Sequence, residues 1–138
     1  MRLWHKDLIP VLPRQQLLGQ WRECCLIAKN IAEKGTPRHI LVNRIMDYPL
    51  QQFFHYAQLI EAEMLLRGYK CDFWKFTQWF NQTCHSFLVQ TTFDKKDIFP
   101  DWHNNRYLIQ CFHNLQEKYD CGGISEDEWI KIRSFMRY

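Results

Sequence analysis

The sequence predicts an all-α protein: a single compact domain spanning residues 1–138, with about three long helices, several short ones and an N-terminal arm. Three observations predict it. Apolar residues recur at helical spacing along most of the chain, no segment shows the period-two alternation of a half-buried strand, and helix-boundary residues flank the periodic stretches. The 138 residues suffice for a real hydrophobic core.

The elements follow in order. Met1-Arg2-Leu3-Trp4-His5-Lys6-Asp7 forms a short arm. Pro13 suits the first turn of helix one, where its missing N–H costs nothing. Leu17, Leu18, Trp21, Cys24, Cys25, Ala28 and Ile31 then recur at helical spacing, and Gly35 is the stop. Thr36-Pro37 reads as a cap and first-turn proline for a second, short helix ending before Pro49. A third helix starts near Leu50 and carries Phe53, Phe54, Tyr56, Leu59, Ile60, Met64 and Leu65 to Gly68. Asp72 can cap a fourth, with Phe73, Trp74, Phe76, Trp79 and Phe80. Residues 91–101 read as a loop ended by Pro100. A fifth helix covers about Asn104 to Lys118, and Cys121-Gly122-Gly123 breaks it. Ser125 with Glu128 is a capping box for a last short helix whose apolar side is Trp129, Ile132, Phe135 and Met136.

Composition is that of a globular domain, 46% hydrophobic and 24% charged. Aromatics reach 16%, which fits a core rich in large rings or rings exposed to stack on bases. Net charge is only +3, but its distribution is uneven. Residues 1–44 hold eight basic side chains against Asp7, Glu23 and Glu33, so the remainder is net acidic by two. A basic first third suits a phosphate backbone or an ordinary solvated surface. No signal peptide and no membrane-length apolar run is visible, and the six cysteines have no framework spacing. The expectation is a cytoplasmic protein with reduced thiols. There is no C-x-x-C, and Cys84-His85 and Cys111-Phe112-His113 are the only Cys/His clusters. No metal site is assigned and no cofactor is expected. Gly-rich phosphate loops, H-E-x-x-H and nucleophile-elbow patterns are likewise missing from the sequence.

The chemistry-bearing feature is the start of the chain. An α-amine has a reference pKa of about 7.7–8.0, so at neutral pH a fraction of it is an uncharged nucleophile. A carboxylate beside it supplies acid/base help. Helix one offers Glu23, adjacent to Arg22, with Gly19 one turn earlier. Helical side chains lean toward the N-terminus, so Glu23 would cover the space over Gly19 and leave room there for a ligand. The competing reading is close helix packing at Gly19 with Glu23 simply exposed. Gln15, Arg22 and Lys29 form one polar stripe.

The run Leu12-Pro13-Arg14-Gln15-Gln16-Leu17-Leu18-Gly19-Gln20-Trp21-Arg22-Glu23, at this distance from the start, resembles the pyrimidine-dimer DNA glycosylase/AP-lyase family, the phage-type endonuclease V. The segment from Phe53-Phe54 to Met64-Leu65-Leu66-Arg67-Gly68-Tyr69 resembles that family's third-helix region. Trp129-Ile130-Lys131 with Tyr138 resembles its aromatic, basic tail. The resemblance implies a compact helical monomer that cuts duplex DNA at cyclobutane pyrimidine dimers or abasic sites without metal. The family's α-amine attacks the sugar C1′ to give a Schiff base, and β-elimination breaks the strand. Carried over, the α-amine is the nucleophile, Glu23 the essential carboxylate and Arg22 a DNA contact. With the chain's own basic residues added, the catalytic candidates are Met1, Arg2 and Glu23, and the DNA-binding candidates are Arg2, His5, Arg14, Arg22, Lys29 and Lys131.

The chain departs from the family in three places. Arg2 is bulky where the best-known members expose a small residue after methionine removal, so the terminal amine belongs to Met1, about 3.8 Å of chain further out. Leu3 and Leu26 stand where phage-type members carry arginines, a loss that Arg2, Arg14 and Lys29 could offset. The alternatives are a non-catalytic DNA-binding module on the same scaffold and a helical protein-interaction domain. His5 could orient a phosphate, tune the amine, or be a surface histidine without a role. Trp4 could anchor the arm in the core or stack on a base. Lys131, Arg133 and Arg137 could touch phosphates or simply suit the dipole of the last helix.

Overall fold

The computed structural model describes residues 1–83 and 92–138. Their secondary structure is entirely helical, with no strand among the described residues. Five α-helices carry the fold: α1 (Arg14–Lys34), α2 (Leu50–Leu66), α3 (Trp74–Thr83), α4 (Asn105–Asp120) and α5 (Glu126–Met136). Short 3-10 helices at Lys6–Val11, Asn43–Asp47 and Lys95–Asp97 shape the connections. One core cluster runs from Leu3 in the arm to Ile132 in α5.

Helix α1 is the central strut. Its buried stripe, Leu17, Gln20, Trp21, Cys24, Ile27, Ala28 and Ile31, repeats every three or four residues and packs on α3 and α2. It begins one residue later than expected, because Pro13 holds the extended N-cap position and Arg14 is the first helical residue. Pro13 offers no side-chain cap, and Glu128 Oε2 supplies one instead by accepting from the Arg14 amide at 2.8 Å. The same carboxylate closes the capping box with Ser125, so one side chain ties together the starts of α1 and α5. Gly35 ends α1 in the left-handed conformation (φ 77°).

The short helix expected after Thr36-Pro37 and ending before Pro49 starts later, at Asn43, and is a 3-10 helix. The chain turns at Arg38 (φ 62°) and reverses through His39–Val42 before the 3-10 helix Asn43–Asp47. Pro37, Val42 and Ile45 are buried, with Tyr48 packed against the core, and the spacing of three between Val42 and Ile45 suits a 3-10 turn rather than an amphipathic α-helix. Residues 92–101 are likewise more than a loop. They contain the Lys95–Asp97 turn, capped by the Asp94 side chain, and bury Ile98 and Phe99.

Rings fill the interior, as the aromatic content suggests. Trp21, Phe54, Phe73, Phe76 and Phe80 join α1, α2 and α3 through centroid contacts of 5.0–6.3 Å. Asp72 caps α3 by accepting from the Trp74 amide, and Asn104 caps α4 by accepting from the Tyr107 amide. The five described cysteines are free thiols. Cys84-His85 lies outside the described residues.

Candidate active site

The arm is held by side chains reaching its backbone from four directions. Leu3, Trp4 and His5 are buried, so their peptide groups need partners inside the protein. The Tyr107 hydroxyl donates to Leu3 O at 2.6 Å, and the Tyr56 hydroxyl donates to Trp4 O at 2.6 Å. His103 Nδ1 accepts from the Lys6 amide at 3.0 Å. Burial pushes both phenols well above their ordinary range, so each remains a protonated donor. Burial and the neighbouring His5 push His103 down to about 2, which keeps its ring neutral and able to accept.

Gln20 is the hub. It is 1% exposed and lies on the core face of α1. Its Oε1 accepts from the Trp4 amide at 2.7 Å and from the Tyr56 hydroxyl at 3.0 Å. Its Nε2 donates to Arg2 O at 3.0 Å and to Glu23 Oε2 at 3.2 Å. One amide group therefore touches both the arm's second residue and the Glu23 carboxylate. Glu23 is half-buried. Met1 projects beyond Arg2 and is partly exposed.

The space over Gly19 belongs to neither predicted occupant. A Cβ built there meets only an Arg22 guanidinium nitrogen, at 3.8 Å. Residues 19 and 22 stand one turn apart on the same face, whereas Glu23 turns toward Gln20. Helix packing does not explain the glycine either, since no other element comes within 4 Å of that point.

The remaining predicted residues separate. His5 is 2% exposed and is not a surface histidine: its ring stacks on His103 at 5.1 Å and its Nδ1 accepts from the Asp7 amide. Burial lowers its pKa against the pull of Asp7. In that position it cannot orient a phosphate directly and instead supports the arm from within. Trp4 is buried and anchors the arm, with the Arg2 guanidinium 5.3 Å from its ring centre. Arg14 lies over the Tyr69 ring and shares a groove with Arg67 and Lys131 and with the carboxylates of Glu63 and Glu128. Lys29 lies over the Trp79 ring. Leu3 is fully buried, and Leu26 is exposed.

A second groove opens beside the arm. It encloses about 460 Å3 and is lined by Arg2, Arg44 and Arg106, with Trp102 and Tyr107 among its walls. None of its described lining residues is acidic. Arg44 counted in the sequence only toward the basic first third and Arg106 not at all, because they become neighbours only when the 3-10 helix Asn43–Asp47 and the start of α4 line one groove. Gln20 does leave one: it is a polar residue inside the apolar stripe of α1, where a buried amide requires partners. Among the described residues, no group of three His, Cys, Asp or Glu side chains could hold a metal ion. None of the described helices is long and apolar enough to cross a membrane.

The helical scaffold fixes the arm's backbone and the Glu23 carboxylate on one buried amide and opens a cationic groove beside them, an arrangement suited to a polyanion. The chain belongs to the pyrimidine dimer DNA glycosylase family, which matches residues 1–75. It is thus a pyrimidine dimer DNA glycosylase, a DNA-repair enzyme that binds DNA. The matched stretch contains the arm, Gln20, Glu23 and Arg44. No curated protein and no solved structure matches the chain.

Proposed function

We propose that this protein, a single domain over residues 1–138, is a glycosylase and AP lyase acting on cyclobutane pyrimidine dimers or abasic sites in duplex DNA, with the Met1 α-amine as nucleophile and Glu23 as acid/base. The observation that carries the reading is the Gln20 amide, which donates to both Arg2 O and Glu23 Oε2. It sets the arm and the carboxylate in one frame, with the amine one residue beyond. Entropy that a loose terminus would lose on reaching a sugar is lost already in folding.

The steps balance. The uncharged amine forms a bond to C1′, the C1′–N bond to the base breaks, and the base leaves with its electron pair and takes up a proton. With one amine proton transferred away, the C1′–O4′ bond breaks, O4′ takes up a proton, and the nitrogen keeps its last hydrogen in the protonated Schiff base. The Glu23 carboxylate is suited to stabilise the cationic sugar and then to remove a C2′ proton. The electrons of that C–H bond expel the 3′ phosphate, and water releases the amine. On an abasic sugar the amine enters by condensation with C1′ and loss of water. Arg22, exposed on α1 next to Gly19, and Arg2 are the phosphate contacts nearest in the chain to these groups. The reaction as written needs no cofactor, and the protein acts as a cytoplasmic monomer.

The test is borohydride trapping on abasic and dimer-containing duplexes, comparing wild type with Glu23→Gln and with N-terminally acetylated protein. A covalent adduct on both substrates, lost on acetylation and slow to turn over in Glu23→Gln, is expected. Full cleavage after complete acetylation would refute the amine mechanism. Salt-dependent binding with no adduct would leave a DNA-binding module on this scaffold.

A further inference from the structure

Ile40 and Leu41 are 84% and 51% exposed, both at the tip of the His39–Asn43 turn. Two adjacent large apolar side chains in water are unfavourable, and a mobile loop would fold them inward. This turn is built to prevent that. The Val42 and Asn43 amides both donate to His39 O, at 3.0 and 2.9 Å. The His39 amide donates to Asn43 Oδ1 at 3.1 Å, and the Leu41 amide donates to His39 Nδ1 at 3.2 Å. Below the tip, Val42 and Ile45 are fully buried and root it in the core. The tip is a short, braced projection rather than a loose loop.

Its surroundings indicate what it meets. Ile40 and Leu41 form one wall of the groove lined by Arg2, Arg44 and Arg106. The Arg44 guanidinium is 5.7 Å from the Trp102 ring centre, which directs it along the groove wall. Three cations with no described carboxylate among the lining residues fit a phosphodiester backbone. An apolar tip alongside a tracked backbone is placed to enter the base stack, where apolar wedges unstack a step and kink the duplex.

We infer that the braced Ile40–Leu41 tip is a wedge that inserts between base pairs of duplex DNA while the adjoining groove of Arg2, Arg44 and Arg106 holds the strand backbone. This assignment rests on the DNA-repair reading for its purpose, since prying the stack open at the lesion exposes the sugar that the amine must reach. Its physical content, unstacking, does not depend on the amine chemistry.

The wedge is tested with duplexes that carry 2-aminopurine beside an abasic or dimer site, read by fluorescence on saturation with protein. Wild type should raise the signal. Ile40→Ser combined with Leu41→Ser, both exposed positions, should reduce the enhancement about tenfold while leaving the slope of log affinity against log salt, set by the arginines, unchanged. Ile40→Phe should preserve it. In borohydride trapping, the double variant should match wild type on single-stranded abasic DNA and slow about tenfold on duplex. An unchanged enhancement in the double variant, or none from wild type at saturation, would overturn the wedge. So would an oligomer lost in the double variant with fluorescence unaltered, which would assign the tip to a protein interface. Wild-type unstacking without any covalent adduct would sustain the wedge and remove the lyase mechanism instead.

Discussion

Replacing Gln20 by leucine takes from the core an amide whose acceptor and donor roles are all occupied. The Trp4 amide, buried, loses its partner, and an unsatisfied buried donor costs about 1–3 kcal/mol. The Tyr56 hydroxyl still donates to Trp4 O, and Arg2 O is nearer the surface. A total of about 2–3 kcal/mol is expected, a substantial part of a typical stability of about 5–15 kcal/mol. Leu3 and Trp4 remain buried, and about 1.5–3 kcal/mol for each such side chain is enough to keep the arm seated. The arm should therefore shift rather than detach. A displacement of about 1 Å is worth about a hundredfold in rate when geometry controls the chemistry. The assay is single-turnover borohydride trapping on abasic duplex, with DNA affinity and thermal unfolding measured in parallel. The expected result is a rate about a hundredfold lower with nearly unchanged affinity. In a double-mutant cycle with Glu23→Gln the two losses should fall well short of additive, because Gln20 positions the groups that Glu23 works with. A wild-type trapping rate in a variant with lowered melting temperature would refute the positioning role. An unchanged melting temperature as well would refute the clamp itself.

Three further outcomes follow from the same physics. Gly19→Ala should stabilise the protein by about 1 kcal/mol in thermal unfolding, since the glycine sits inside α1 and its added Cβ meets only Arg22 at 3.8 Å. Glu128 is pushed up by burial, but its hydrogen bonds from the Arg14 amide and Ser125 outweigh that and hold its pKa below the ordinary value. Its charged form therefore contributes stability above the unfolded pKa of about 4.3, and the contribution disappears as pH falls through the lower folded value. Glu128→Gln should cost about 0.5–1 kcal/mol in denaturant titrations at pH 7 and nothing from lost charge at the acid end; an equal cost at both pH values would contradict the assignment. Arg44→Gln and Arg106→Gln should each lower the slope of log affinity against log salt by about 1, measured by fluorescence anisotropy on duplex DNA. An unaltered slope in both would remove the groove from the DNA path.

The helices were legible because their causes are local. Leu17 to Ile31 repeats at a helical period, Gly35 supplies the left-handed stop, Asp72 and Asn104 cap by reaching two or three residues along, and Ser125 with Glu128 closes a box within one turn. Glu23 was singled out by the resemblance of the run Leu12–Glu23, while helix geometry alone left it open to being simply exposed. The short helix expected after Thr36-Pro37 forms only from Asn43, as a 3-10 turn, because a local cap signal cannot supply burial: Ile40 and Leu41 were left outside the core that Val42 and Ile45 reach. His5 was equally ambiguous until His103, from nearly a hundred residues away, stacked on it.

The sequence by itself determined the all-α class and placed the five α-helices with most of their ends, since periodicity and capping act over one or two turns. Only the tertiary structure decided that Gln20 joins the arm to Glu23, that Tyr56, Tyr107 and His103 hold the arm's backbone, and that Arg44 and Arg106 meet beside Arg2. Those partners are separated by tens of residues and are brought together by burial of apolar surface, which is non-directional and leaves no mark in the spacing of the residues it assembles.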